Sequence, residues 1–393
     1  MKRLKENIRK PIPGVQLVGY DTPPTPTATT LATLRTTEAA VQRGQKVLVA
    51  LLKLKQAGFT PDVVYAHPGW GETLFLKDVF PRARLIHFCE FYYHATGQDF
   101  NFDPEFPCNA EDVLRLRINN LHHLMALEQA DIGIAPTVWQ QTRFPTIYQP
   151  KIAVIHDGVD TTAVKPDAEA FLRFPKHNLT LTGKDEVITF VSRNLEPYRG
   201  FHTFMRALPD LLAARPKAHI VIVGGNGVSY GRRLAKGSYR EKYLAELNGR
   251  IDLQRVHFVG KLPYDTFLRV LQVSTAHVYL TYPFVLSWSM MEAMAAGCLV
   301  IGSRTAPVQE VIRDGENGLL VDFFSSSELV DAVQRVCNDP TRMQELREAA
   351  RRTIVEGYDL HSVCLPRQKV LIEASGNLVV TPILSSKPIL HTA

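Results

Sequence analysis

From residue 186 onward, short apolar runs alternate with stretches long enough for a helix and a return. The runs are EVITFVSR (186–193), HIVIVGG (219–225), RVHFVG (255–260), AHVYLTY (276–282) and GLLVD (318–322). They are continuously apolar, so both faces of each strand are covered, as in parallel sheets with helical crossovers. The first half follows the same scheme less regularly. GVQLVGY (14–20) reads as a strand and the Pro/Thr-rich 21–30 as a loop. A long helix follows from about Thr33 to Gln56, then strands 62–67 and 83–88. Loop 92–107, a helix Glu111–Gln129 and strands 132–137 and 151–157 complete it. Residues 159–185 show no sheet pattern and contain Pro166, Pro175 and Gly183, so they read as a connection. A chain of 393 residues is too long for one ordinary core. The expected division is a first α/β domain over 1–158, a linker over 159–185 and a second α/β domain over 186–356. A helix within 357–375 and a loose tail over 376–393 follow.

Within that frame, residues 282–312, YPFVLSWSMMEAMAAGCLVIGSRTAPVQEVI, carry the most chemistry. They read as strand end, loop, helix, glycine stop, strand and second helix. Ser287, Trp288, Ser289 and Met290 would present backbone N–H groups at the first helix's N-terminus, which suits a phosphate. Glu292, one turn inside, suits the paired hydroxyls of a ribose. Gly297 ends the helix, and Ala293, Ala295 and Ala296 let it lie close to a sheet. An ordinary α/β packing segment has the same local pattern.

The remaining features exclude more than they assign. The five cysteines form no CxxC pair and read as buried thiols of a reducing cytosol. The longest apolar run, Val47–Leu52, is far short of a membrane span. The basic start MKRLKENIRK precedes no apolar signal core. A net charge of +6 fits an anionic ligand or loose attachment to acidic lipid, and no nucleic-acid module is present. The stretch 39–58 carries Arg43, Lys46, Lys53 and Lys55 beside a broad apolar face. A sheet-covering helix with solvated lysines is the preferred reading. Peripheral contact at the inner face of a membrane is the other.

The second half resembles the retaining glycosyltransferases of family 4, which have the GT-B fold. The resemblance is carried by VIHDGVDT (154–161), FVSRNLEPYRG (190–200), IVIVGG (220–225), VHFVGKLPYDTF (256–267) and VYLTYP (278–283). MEAMAAGCLVIGS, APVQEVI and DGENGLLVDF (314–323) complete it. Upstream, AHPGWGETLFLKDVFP (66–81), EFYY (90–93) and FDPEFP (102–107) resemble one bacterial subgroup. The resemblance implies two Rossmann-like domains facing across a cleft. It implies transfer of a sugar from a nucleotide-diphosphate sugar to a glycan or lipid-linked acceptor, with retention and with no cofactor beyond that co-substrate. It places Arg193 and Arg199 on the diphosphate and His94 near the transferred sugar. It sets Gly224, Gly225, Val259, Gly260, Lys261 and Leu262 along the donor, the last four beside the base through backbone groups. His67, Glu72 and Glu90 fall on the acceptor side. No Asp-x-Asp triplet stands at a strand end, so fixed cations rather than a metal are expected to meet the leaving charge.

Two departures qualify this picture. The family's Glu–seven residues–Glu motif keeps its second member as Glu292, but Phe284 within YPFVLSWS holds the first position. The family's opening strand, Gly-rich loop and helix are also expected to be missing. The rival readings are a nucleotide-sugar-binding protein without turnover and, less favoured, a nucleotide-sugar epimerase.

Overall fold

The computed structural model describes residues 12–374, apart from 22, 25, 27, 28, 176 and 177. The expected loose tail 376–393 and the basic start lie outside these residues. The chain forms two compact units. Among the described residues, one takes 12–96, Pro104–His156 and 368–374; the other takes Gly97–Asp103 and Asp157–Arg367.

The first unit has a four-stranded parallel sheet of β1 (Val63–Ala66), β2 (Arg84–Phe88), β3 (Ile132–Ala135) and β4 (Ile152–Val154), in that spatial order. Ile86 and Ile134 are fully buried at its centre, and Leu371 of the last helix packs on the same cluster. The long helix runs Arg35–Gln56. The helix expected over 111–129 is two, Ala110–Asn119 and Leu121–Gln129. The break is at Asn120, whose side chain accepts from the Tyr93 N–H and donates to the Tyr93 carbonyl.

The strand expected at 14–20 is absent. Val15, Leu17 and Val18 are exposed, and the run joins no sheet among the described residues. Apolar content alone does not make a strand without a neighbour to complete its ladder.

The second unit is built on six parallel strands in the order β12-β11-β10-β7-β8-β9. They are β7 (Val187–Asn194), β8 (His219–Gly225), β9 (Val256–Gly260), β10 (Ala276–Tyr279), β11 (Val300–Ser303) and β12 (Leu319–Val321). The chain starts at β7, builds outward through β9, then crosses back to lay β10 on the other side of β7. Such a reversal opens a crevice at the carboxyl ends of the two central strands, where α/β sheets bind ligands. Ile188 and Phe190 on β7 are buried, and Phe190 stacks on Phe204 of helix Phe201–Ala214. Thr189 closes a buried polar set with Ser274 and His277, at 2.7 and 2.8 Å. Burial pushes the His277 imidazole down to about 3.

The segment 159–185 is not a bare connection. It holds an antiparallel hairpin, β5 (Phe171–Phe174) and β6 (Leu179–Thr182), with Leu172 and Leu181 buried against Val221, Val223 and Val270. Residues 97–103, expected within the first domain's loop, belong to the second unit. There the Tyr282 hydroxyl donates to Asp103 at 2.7 Å and His202 Nε2 meets the same carboxylate at 3.0 Å. Phe102 sits among Tyr282, Phe323 and Phe324.

Asp99, in this segment, accepts from the Tyr198 hydroxyl. Burial pushes its carboxyl up to about 6, against the opposing effect of that hydrogen bond. A carboxyl raised in the folded state stabilises fully below its unfolded value, and that stability is lost as pH rises through about 6. Asp99→Asn removes the titration. Its stability relative to wild type is therefore expected to rise between pH 4 and pH 7 by roughly 1–3 kcal/mol. Urea unfolding at both pH values measures this, and a pH-independent gap contradicts it.

Candidate functional site

The second unit's crevice is framed by the segments that follow β7, β8, β9 and β10. After β7, Leu195–Arg199 turn into helix Phe201–Ala214 through Gly200, which has φ +69°. A Cβ on Gly200 would stand 2.3 Å from Leu280 Cβ, so only glycine lets this turn meet the loop after β10. After β8, residues 229–231 wrap a carboxylate. Glu196, 1% exposed, accepts from the backbone N–H groups of Ser229, Tyr230 and Gly231 at 2.8, 3.2 and 2.9 Å. Asn194 adds a bond to the Ser229 hydroxyl at 2.8 Å.

Arg199 is buried at the centre of this arrangement. Its Nη1 donates to the Tyr279 and Thr281 hydroxyls at 3.1 and 2.8 Å, and its Nη2 to the Val285 carbonyl at 3.1 Å. The guanidinium lies over the rings of Tyr230 and Phe284 at 5.5 and 5.7 Å. The Tyr279 hydroxyl also accepts from the Ser287 N–H at 2.7 Å. Arg199 thereby ties the apolar 282–286 loop to the start of helix Trp288–Ala295.

That helix is capped by Ser287, whose hydroxyl accepts from the Ser289 N–H and pairs with the Ser289 hydroxyl. Trp288 is exposed, whereas Met290 is buried in the core. Gly297, at φ +82°, follows the helix end as expected. Glu292 accepts a 2.6 Å bond from the Tyr264 hydroxyl. Burial raises the Glu292 carboxyl, and the Tyr264 bond opposes that rise. Burial and the same contact raise the Tyr264 phenol.

At the other strand ends, Arg193 and Lys261 are exposed, with no hydrogen-bond or ion-pair partner among the described residues. Gly225 ends β8 between them. A Cβ there would stand 2.6 Å from Asn194 Oδ1 and 2.7 Å from Lys261 Cε. A Cβ on Gly224 would meet the Ser192 carbonyl at 2.8 Å. Val259 and Leu262 pack on the core cluster beside the hairpin, and Gly260 takes φ +69°.

The residues expected on the acceptor side lie in the first unit. His67 Nδ1 accepts from the Gly69 N–H at 3.0 Å, which leaves Nε2 to donate to Glu90 at 3.0 Å. The His67 ring stacks on the exposed Trp70 at 4.8 Å. Glu72 instead accepts from the Tyr20 hydroxyl at 2.9 Å and lies 3.6 Å from Arg43, whose guanidinium donates to the Trp70 carbonyl. His94 bonds the Arg143 carbonyl at 2.6 Å.

Glu196, Tyr230 and Tyr264 carry no signal in the sequence that marks them for the site. Glu196 stood inside SRNLEPYRG, but its partners lie more than 30 positions away. Tyr264 and Glu292 are 28 apart, with no local pattern to join them.

Two family models cover most of the chain: "Glycosyl transferase family 4 group" over residues 2–164 and "Glycosyl transferases group 1" over 175–353. A D-inositol 3-phosphate glycosyltransferase of Rhodococcus jostii is 28% identical over 51% of this chain and 43% of its own length. The chain thus spans less than half of that relative. A glycogen synthase of Mycobacterium tuberculosis is 26% identical over 84% of this chain and 74% of its own. Among solved structures, sucrose-phosphate synthase from Thermosynechococcus elongatus superposes with a TM-score of 0.66 at 18% identity, covering 86% of this chain and 79% of that one. Anabaena HepE, solved with UDP, does so at 0.59 and 18%, covering 84% and 82%. These two share the fold of two parallel-sheet α/β domains.

Proposed function

The chain belongs to the family 4 glycosyltransferases, and from that premise we propose that it transfers a sugar from a nucleotide-diphosphate sugar to a glycan or lipid-linked acceptor. The observation that carries the donor side is the crevice at the β7–β10 reversal. It offers the capped start of helix Trp288–Ala295, a half-buried Glu292 with no basic partner among the described residues, and exposed cations at the neighbouring strand ends.

Cleaving the sugar–phosphate bond leaves negative charge on the diphosphate. Preorganised cations and N–H dipoles stabilise that charge as it develops. We read the reaction as metal-independent on that ground, and as retaining on the family resemblance, with attack from the face the phosphate leaves. Glu292 would take the ribose hydroxyls on the oxygen that Tyr264 does not use. The first unit's His67–Glu90 pair beside Trp70 supports an acceptor rich in hydroxyls, with Glu90 as the accepting carboxylate. We read the enzyme as cytoplasmic, as the scattered cysteines of the sequence suggest. No helix among the described residues is long and apolar enough to cross a membrane.

Arg193→Ala and Glu292→Ala are each expected to weaken nucleotide-sugar binding by about tenfold or more, from the loss of charge-assisted hydrogen bonds, with thermal unfolding unchanged. Titration calorimetry on both variants checks this. Wild-type affinity in both would remove the donor assignment.

A further inference from the structure

In the first unit, one large aromatic side chain stands in the open on a turn built to hold it. Trp70 is 59% exposed. It follows β1 at the carboxyl edge of the parallel sheet, the edge where α/β sheets take ligands. Gly71 takes φ +97°, and a Cβ there would stand 2.2 Å from the Ala40 carbonyl oxygen, so the turn lies directly on helix Arg35–Gln56. Arg43 of that helix donates to the Trp70 carbonyl at 3.1 Å, and His122 Nε2 bonds the Gly69 carbonyl at 3.1 Å. The indole is backed by the His67 ring, 4.8 Å away and inclined by 22°. The Gly69 N–H on Nδ1 and Glu90 on Nε2, both at 3.0 Å, lock that imidazole in turn. A solvated surface ring needs no such scaffold. A ring held in one orientation by a stacked partner and an anchored backbone is a preformed contact face, with little entropy left to lose on binding.

Glu90 completes the assembly. Its side chain is 42% exposed, Oε2 meets His67, and Oε1 has no hydrogen-bond or ion-pair partner among the described residues. An open carboxylate oxygen accepts hydroxyls and repels phosphate and acidic headgroups. An indole face takes flat C–H surface. A sugar ring offers both, C–H groups on its faces and hydroxyls around its rim. The Nε2 bond keeps the carboxylate near the imidazole plane, whereas the open indole face looks away from that plane. A ring stacked on Trp70 lies about 4 Å beyond the indole, two layers from the imidazole. The hydroxyl that meets Glu90 therefore comes from an adjoining ring.

We propose that Trp70 is the stacking platform for one sugar of the acceptor and that Glu90 takes a hydroxyl of the adjoining sugar, so that this chain reads an acceptor of at least two rings. This rests on the transferase reading above and specifies its acceptor.

The test uses the full chain as wild type, Trp70→Ala, Trp70→Phe and Glu90→Gln. Maltose, cellobiose, lactose and mannobiose are titrated by NMR against the methyl glycosides of glucose, galactose and mannose. At least one disaccharide is expected to bind wild type about tenfold more tightly than its methyl glycoside, with the protons of one ring moved upfield by the indole. Trp70→Ala is expected to erase the upfield shift and cut the preference to within about twofold, while Trp70→Phe keeps the shift and most of the preference. Glu90→Gln is expected to weaken the disaccharide and keep the shift. Failure of every disaccharide to bind, or an upfield shift that survives in Trp70→Ala, overturns the proposal. Binding to phosphatidylglycerol vesicles that Trp70→Ala abolishes, with no disaccharide bound, also overturns it and gives the indole to a lipid surface. Failure to release nucleotide from any sugar donor overturns the transferase reading itself, and disaccharide binding is scored independently of that result.

Discussion

Arg199→Ala is expected to destabilise the second unit by about 3–5 kcal/mol, because two buried acceptors and one part-buried acceptor lose a charged donor and two rings lose their cation. The freed acceptors are the Tyr279 and Thr281 hydroxyls and the Val285 carbonyl, all around the loop that leads into the helix carrying Glu292. Transfer should fall by about a hundredfold or more, since misplacing a binding loop by an ångström is enough for that. Arg199→Lys should recover only part of both losses: one ammonium cannot reproduce a planar fork flanked by aromatic rings. Denaturant unfolding and kcat on the two variants measure this. A fully stable Arg199→Ala that had lost only donor affinity would mean that the guanidinium serves the donor directly.

Glu196→Ala should be the second most damaging change. One carboxylate satisfies the N–H groups of Ser229, Tyr230 and Gly231, and water can replace it only if that loop opens. The expected loss is about 1–3 kcal/mol of stability, from part-buried donors left without their acceptor. Tyr230 would also be released from the face of Arg199, so donor affinity should fall along with stability. Glu196→Gln keeps one accepting oxygen and should land between. The check is hydrogen exchange at residues 226–231 together with thermal unfolding. Unaltered protection in Glu196→Ala would show that the loop is held by something else.

The second unit was largely legible because its strands are buried on both faces and leave unbroken apolar runs. β8 spans His219–Gly225 as its sequence suggested, and Gly297 stops its helix where its position implied. Shorter and half-covered elements were not legible. β5 and β6 have four residues each and bury one main side chain apiece, Leu172 and Leu181, so no periodicity announces them. The run at 14–20 is the reverse case: it is apolar enough for a strand but has no ladder to join.

The site divided in the same way. Glu292 and Ser287 were marked by the turn and helix immediately around them. The occupation of Arg199 depends on Tyr230, Tyr279, Thr281, Phe284 and Val285, brought to it by the fold from three other segments. Phe284, which stands where the family resemblance implies a glutamate, is one of the rings against Arg199, so the apolar loop and the buried arginine form one packing unit. Residues 97–103 joined the second unit through Asp99, Phe102 and Asp103, contacts that no spacing in the loop foretells.

The most direct measurement is nucleotide release by the purified 393-residue chain from a panel of UDP-, GDP-, ADP- and dTDP-sugars. The panel is run with EDTA and with added metal, and with and without glycan and lipid extracts as acceptors. One nucleotide class is expected to be released, slowly alone and faster with an acceptor, at a rate that EDTA leaves unchanged and Glu292→Ala abolishes. Binding without release under every condition would contradict this and leave a protein that holds nucleotide sugars without transferring them.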